Sequence, residues 1–225
     1  MIELLIVGDG PGDTATVPHL VGRILGVNVR ATFKHWARIH REGSGKGYRK
    51  KLLFAMRQAV DADATGLVMT VDVDNDPQGR KLKELCNARD EARQSAPAFP
   101  TAFGEANVHA EAWLLDDRVA VRQGLRLVGG HPIPNVRDVD SPKEELEQLR
   151  RQSERCADSI SAVLTDIARL VEPSSSRCPH WKETGFHRFA EEVRQELGPL
   201  VKQCGSDCPG GDACVCKEQP RAGEV

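Results

Sequence analysis

Two acidic clusters, each closing an apolar run, are the residues of this chain best suited to chemistry. The first run, Ile2-Glu3-Leu4-Leu5-Ile6-Val7, leads into Gly8-Asp9-Gly10-Pro11-Gly12-Asp13. The second, Gly66-Leu67-Val68-Met69-Thr70-Val71, leads into Asp72-Val73-Asp74-Asn75-Asp76. Short apolar runs stopped by turn residues read as buried strands. Parallel sheets take ligands just beyond the carboxyl ends of their strands. If these two strands are neighbours, four or five carboxylates converge on one small volume. So many anions require a positive partner, and hard oxygen donors suit Mg²⁺ or Mn²⁺. The chemistry indicated is metal-assisted phosphoryl chemistry.

Alternate residues of a strand face the same side, so Asp72 and Asp74 can address one ion while Val73 packs behind them. Asp9 and Asp13 come from the neighbouring strand end and the following helix start. Taken singly, Asp13 also reads as a helix cap, and Asp74-Asn75-Asp76 as a turn ahead of Pro77.

The elements that would hold these residues alternate. After the first strand a helix is expected from Asp13 or Thr14 to Leu25, with Pro18 confined to its first turn. Val27 to Phe33 reads as a second strand and Tyr48 to Val60 as a helix. Gly66 to Val71 is the third strand, Gly79 to Gln94 a helix and Ala98 to Phe103 a fourth strand. That order implies an α/β fold with a mostly parallel sheet and right-handed crossovers. Ala106 to Asp117 is largely apolar and carries Glu111. Its bland reading is a helix with Trp113 and Leu114 in the core and Glu111 at the surface. Past Gly129-Gly130 the character changes. Ser141-Pro142-Lys143-Glu144 is a helix start, with Ser141 as cap, and two or three helices follow to about Val201. Residues 129–203 are expected as a helical extension of a domain spanning 1–128, with a Cys-rich tail over 204–225.

The bulk numbers narrow the field. The 225 residues carry a formal net charge of −2, which excludes a globally basic nucleic-acid binder but not a local basic patch. Aromatics make up only 4% of the chain, so its core must be mainly aliphatic. No apolar stretch reaches the roughly 18 residues of a membrane helix. The first residues lack a leader pattern, and a cytoplasmic location is expected. An odd total of seven cysteines argues against a disulfide framework. Cys204, Cys208, Cys214 and Cys216 are a candidate structural Zn²⁺ set of four thiolates. A free-thiol tail is the alternative.

A hydrophobic strand ending in an acid-Gly step, then a helix, then a strand ending in Asp-x-Asp, resembles the Toprim domain. Such domains occur in topoisomerases, primases and the overcoming-lysogenization-defect nucleases. The chain is also similar to the Toprim-like bacterial family known as domain of unknown function 4276. His109-Ala110-Glu111-Ala112-Trp113-Leu114-Leu115-Asp116, Pro142-Lys143-Glu144 and Phe186-His187-Arg188-Phe189 carry that likeness, which covers roughly residues 1–200. The resemblance implies a Toprim-like (Rossmann-like) domain, with Asp9 as general acid or base and Asp72 and Asp74 as the Mg²⁺ or Mn²⁺ pair. It implies that Asp13 holds a second ion and that Glu111 is a further ligand. Asp9 stands where the family usually has Glu, one methylene longer. The implied activity is phosphodiester cleavage by a nuclease of bacterial anti-phage defence or DNA processing. An ATPase partner is a family-level expectation. The alternative is a non-catalytic accessory subunit.

A basic stretch lies between the two acidic clusters. Lys34, Arg38, Arg41, Lys46, Arg49, Lys50, Lys51 and Arg57 are opposed only by Glu42, with His35, Trp36, His40 and Tyr48 interleaved. The pattern suits nucleic-acid phosphates, with aromatic platforms for bases. A solvated helix face is the bland reading. Gly43-Ser44-Gly45-Lys46-Gly47 lacks the order of a phosphate-binding loop. Gln148, Arg150, Arg151, Glu154 and Arg155 read as a solvated face.

Overall fold

The computed structural model describes residues 1–42, 47–73, 79–95, 98–107 and 109–201. Lys46, Asp74, Asp76 and the four tail cysteines Cys204, Cys208, Cys214 and Cys216 lie outside these residues. The strands are β1 (Ile2–Gly8), β2 (Val29–His35), β3 (Gly66–Asp72) and β4 (Thr101–Ala106). The helices are α1 (Pro11–Leu25), α2 (Trp36–Glu42), α3 (Tyr48–Asp61), α4 (Arg80–Ser95), α5 (Glu111–Leu115), α6 (Arg118–Leu125), α7 (Pro142–Arg151), α8 (Ile160–Leu170) and α9 (Phe186–Glu196). A 3-10 turn spans Val136–Asp138. Among the described residues no helix is long and apolar enough to cross a membrane.

The four strands form one parallel, Rossmann-like sheet in the order β2-β1-β3-β4. The chain leaves β1 for β2 on one side and returns to β3 on the other. The strand order therefore reverses between β1 and β3, the place where a parallel sheet opens a crevice. Ile6 pairs with Val68 and Val7 with Met69, so the two acidic strand ends emerge side by side.

Residue alternation explains the layers. Leu4, Ile6 and Val68 face a core shared with α1, α6, α7, α8 and α9. Leu5, Val7, Leu67 and Met69 face a second core with Trp36, Leu52 and Leu85 of α2, α3 and α4. Both faces of β1 and β3 are thus buried, which is why their sequences are apolar but for Glu3, Thr70 and the closing Asp72. The helices after residue 129 pack with α1 and α6 on one face of the sheet and share a single core with it.

Several boundaries differ from expectation. The helix after β1 begins at Pro11, so Pro18 lies in the helix interior rather than in its first turn. The missing N–H leaves the Thr14 carbonyl without its helical donor. β4 starts at Thr101, because Pro100 offers no N–H to a ladder; its carbonyl still accepts from Leu67 N–H at 2.9 Å. α2 follows β2 without a breaker and was not foreseen. Ser141 caps α7 as expected, accepting from Glu144 N–H. The supposed solvated face is partly interior. Arg155 donates to the Gly124 carbonyl at 2.8 Å, to Asp166 at 2.7 Å and to Asp158 at 2.6 Å. Arg150 bonds Glu147 twice at 2.8 Å.

Close backbone approach fastens α9 to β4. Gly104 lies under the Phe189 ring, where an added Cβ would stand 2.8 Å from a ring carbon. Gly185 has φ +85° and sits against the Glu105 carbonyl with no room for a side chain. On the far side of β4, Arg89 donates to the Thr101 carbonyl at 2.8 Å, lies over the Phe103 ring and pairs with Glu192 of α9. Gly185→Ala combines a left-handed conformation with a backbone clash. It should lower stability by at least about 1 kcal/mol, read as a fall in the urea midpoint with an unchanged slope.

Candidate functional site

The first acidic loop is built around Asp13. As the third residue of α1, its carboxylate turns back to the loop. Oδ2 accepts from Asp9 N–H at 2.7 Å and Gly10 N–H at 3.3 Å. Oδ1 lies 3.4 Å from the Thr70 hydroxyl, which is also 3.3 Å from the Val7 carbonyl. Gly8 has to be glycine, since a Cβ there would fall 2.7 Å from Asp13 Cβ. Asp13 is thus a buried brace for the turn, in an acceptor role close to the capping alternative. Burial pushes its carboxyl up from the ordinary range. The two backbone donors oppose this, while Glu111 and Asp9 reinforce it. Asp9 itself is exposed.

Glu111 arrives from a third segment. It opens α5, which follows β4, and is only 6% exposed. Its carboxylate lies directly against Gly12, which leaves no space for a side chain there. Trp113 and Leu114 occupy the core as the bland reading had it, but Glu111 is buried rather than at the surface.

Asp72 closes β3. Burial raises its carboxyl to about 6, with Asp13 and Asp9 adding to the shift and His109 working against it. His109 Nδ1 is 3.0 Å from Asp72 Oδ2. The Lys81 ammonium donates to the Asp72 main-chain carbonyl at 3.0 Å. Sequence reasoning did not single out His109 as a site residue. The available signal was its place two residues before Glu111, in a segment already tied to the acidic residues.

Asp9, Asp13, Asp72 and Glu111 therefore come from three separate chain segments and act on one another electrostatically. Their hard oxygen donors fit a divalent cation in kind. Among the described residues, no three His, Cys, Asp or Glu side chains stand close enough to hold a metal ion.

The basic stretch lies beside this cluster. His40 of α2 feels both Lys51 and Asp9: burial and Lys51 push its imidazole down, and Asp9 pulls it back. Arg38, Arg41, Arg49 and Lys50 are exposed. Arg49 pairs with Glu91 at 3.2 Å, and Lys34 bonds Gln58. The aromatic platforms require correction. Trp36 is 4% exposed and donates its indole N–H to the Thr70 carbonyl at 2.6 Å. His40 stacks on it, Tyr48 meets it edge-on, and Lys51 covers the Tyr48 ring. Trp36 is core, packed under the strand ends, and is not offered to a base.

No family model matches the chain. No curated protein matches it. Among solved structures, it is similar to the C-terminal region of the OLD protein of Xanthomonas campestris pv. campestris. The likeness covers 87% of this chain and 97% of that one, at 14% identity and a TM-score of 0.34. At that level it establishes no shared activity.

The raised Asp72 carboxyl has a consequence for stability. An acid whose folded value, about 6, exceeds its ordinary 3.8 binds more protons when folded across that interval. Stability is then lost as pH rises from about 4 to about 6, and the loss persists above. Without divalent cations, Asp72→Asn should match the parent near pH 4. It should exceed the parent by up to about 3 kcal/mol above pH 6, measured by urea unfolding at both pH values.

Proposed function

We propose that this chain is a divalent-metal-dependent nuclease of the Toprim type that hydrolyses phosphodiester bonds in nucleic acid. The observation that carries the reading is the meeting of Asp9, Asp13, Asp72 and Glu111 at the reversal point of a parallel sheet. Basic helices lying alongside support it. So does the sequence resemblance to Toprim domains and to domain of unknown function 4276, whose acidic positions these residues occupy.

In this reading Asp72 and Glu111 hold Mg²⁺ or Mn²⁺, joined by Asp74 from outside the described residues. The donor oxygens suit such an ion, and its charge would offset both the burial that chiefly raises Asp72 and Asp13 and the like-charge repulsion that adds to it. The chemistry such an ion would supply there is polarisation of the scissile phosphate and activation of water. Asp13 keeps the first loop in place through its bonds to Asp9 and Gly10 N–H, and its remaining oxygen is the candidate for a second ion. Asp9, exposed at the rim, carries a proton to or from water or the leaving group. Arg38, Arg41, Arg49 and Lys50, with Lys34 and Lys46 from the same stretch, neutralise backbone phosphates and set a salt-dependent affinity. A role in bacterial anti-phage defence or DNA processing follows from the family resemblance. A Zn²⁺ held by Cys204, Cys208, Cys214 and Cys216 would be purely structural, because four thiolates leave no open position.

One observation favours a second reading, a non-catalytic accessory subunit of an ATPase-containing complex. The described side chains do not by themselves close a three-ligand site, and Asp9 is the short version of the family's acid.

The two readings separate in one experiment. With Mn²⁺ or Mg²⁺, the protein should cleave plasmid or oligonucleotide DNA or RNA. Asp72→Ala should lower the cleavage rate at least about 100-fold, the scale of losing a key transition-state interaction, while nucleic-acid binding in chelator is unchanged. Binding without turnover in the parent protein would favour the accessory reading. Arg41→Ala and Lys50→Ala should each reduce the slope of log affinity against log salt by about 1, measured by fluorescence anisotropy.

A further inference from the structure

We propose that His109 is a positioning residue for Asp72, fixing the rotation of its carboxylate within the acidic cluster. The consequence for metal binding rests on the reading of that cluster given above; the geometry does not.

His109 Nδ1 and Asp72 Oδ2 are 3.0 Å apart, with side chains only 31% and 19% exposed. An ionised carboxylate can only accept, so the shared proton belongs to Nδ1. The bond takes one oxygen of Asp72, and Oδ1 has no part in it. The main chain beneath Asp72 is held independently: Lys81 donates to its carbonyl, and Val73 N–H continues the ladder to the Ala106 carbonyl at 3.0 Å. What these bonds leave undetermined is the rotation of the side chain. Asp13 and Asp9, both of like charge, act against the ionised Asp72 carboxylate, so among the described residues nothing but the His109 bond holds it in its orientation by attraction.

His109 itself stands on a rigid support. The Thr184 carbonyl accepts from Asn107 N–H at 3.0 Å and from the Trp113 indole N–H at 2.7 Å. The Asn107 amide donates to the Glu183 carbonyl at 3.1 Å. Trp113 stacks on Phe189 with ring centroids 4.8 Å apart and on Phe186 at 5.7 Å. The segment carrying His109 is therefore pinned on both sides to the residues entering α9. Hydrogen bonds of this kind to a ligating carboxylate are worth about 10- to 100-fold in metal affinity.

The test compares His109→Ala, which removes the donor, with His109→Asn, whose amide nitrogen stands near the place of Nδ1. Thermal melting checks folding, and His109→Ser, too short to reach Asp72, replaces the alanine variant if that one does not fold. In metal-free crystals the Asp72 carboxylate should turn from its parent orientation in the alanine variant and keep it in the asparagine variant. Calorimetric titration with Mn²⁺ should show affinity lowered about 10- to 100-fold in His109→Ala and largely restored in His109→Asn. An unmoved carboxylate in His109→Ala, or Mn²⁺ affinity equal to the parent's, overturns the inference and leaves the metal reading intact. A turned carboxylate in a protein whose parent form binds no Mn²⁺ upholds the inference and removes the metal reading instead.

Discussion

Like charge gathered at the ends of adjacent strands is the constraint that organises this molecule. A parallel pairing of β1 and β3 delivers their carboxyl ends to the same place, and α5 adds a fourth acid, Glu111, from a third segment. Without fixed donors these side chains would separate toward solvent. The structure supplies such donors one by one: the N–H groups of Asp9 and Gly10 for Asp13, and an imidazole for Asp72. Small residues give the acids room, Gly8 beneath Asp13 and Gly12 beneath Glu111. Glycines in the first loop thus matter for what they leave empty, more than for any unusual backbone angle of their own.

Support for the site comes from a distance. The helices after residue 129 look from sequence like an addition to a finished domain, yet they share with α1 and α6 the core on one face of the sheet. The residues entering α9 hold the segment that carries His109 and Glu111, chiefly through the Thr184 carbonyl. Packing and site geometry are therefore linked. A change that loosens α9 from Gly104 also loosens the turn from which two candidate site residues project.

Much of the architecture is legible in the sequence where burial is complete. β1 and β3 are covered on both faces, so largely aliphatic runs mark them nearly to the residue. The link between strand ends and carboxylates follows from the same pattern. Other features depend on contacts that no local pattern encodes. Glu111 sits in a helix whose periodicity permits either a surface or a buried glutamate, and the burial of all of α5, with Gly12 close by, decides. Arg150 and Arg155 read as solvated because charge usually is, but carbonyls and carboxylates of later turns draw them inward. Trp36 among basic residues suggests a platform, whereas the packing of α2 under the strand ends places it in the core. His109 is one histidine in a helix-entry segment, and its pairing with Asp72 spans 37 positions of chain.

The dependence of β4 on α9 bears on how the protein is made. All four strands precede residue 107, whereas the helix whose Phe189 and Val193 lie over them begins at Phe186. Leu197, just beyond that helix, reaches back to Gly66 at the start of β3. During synthesis α1 can cover β1 and β2 early, whereas the surface of β4 that receives Phe189 stays bare until α9 leaves the ribosome. A polypeptide cut short before that helix would therefore leave the surface around Gly104 and the Trp113 ring without its cover.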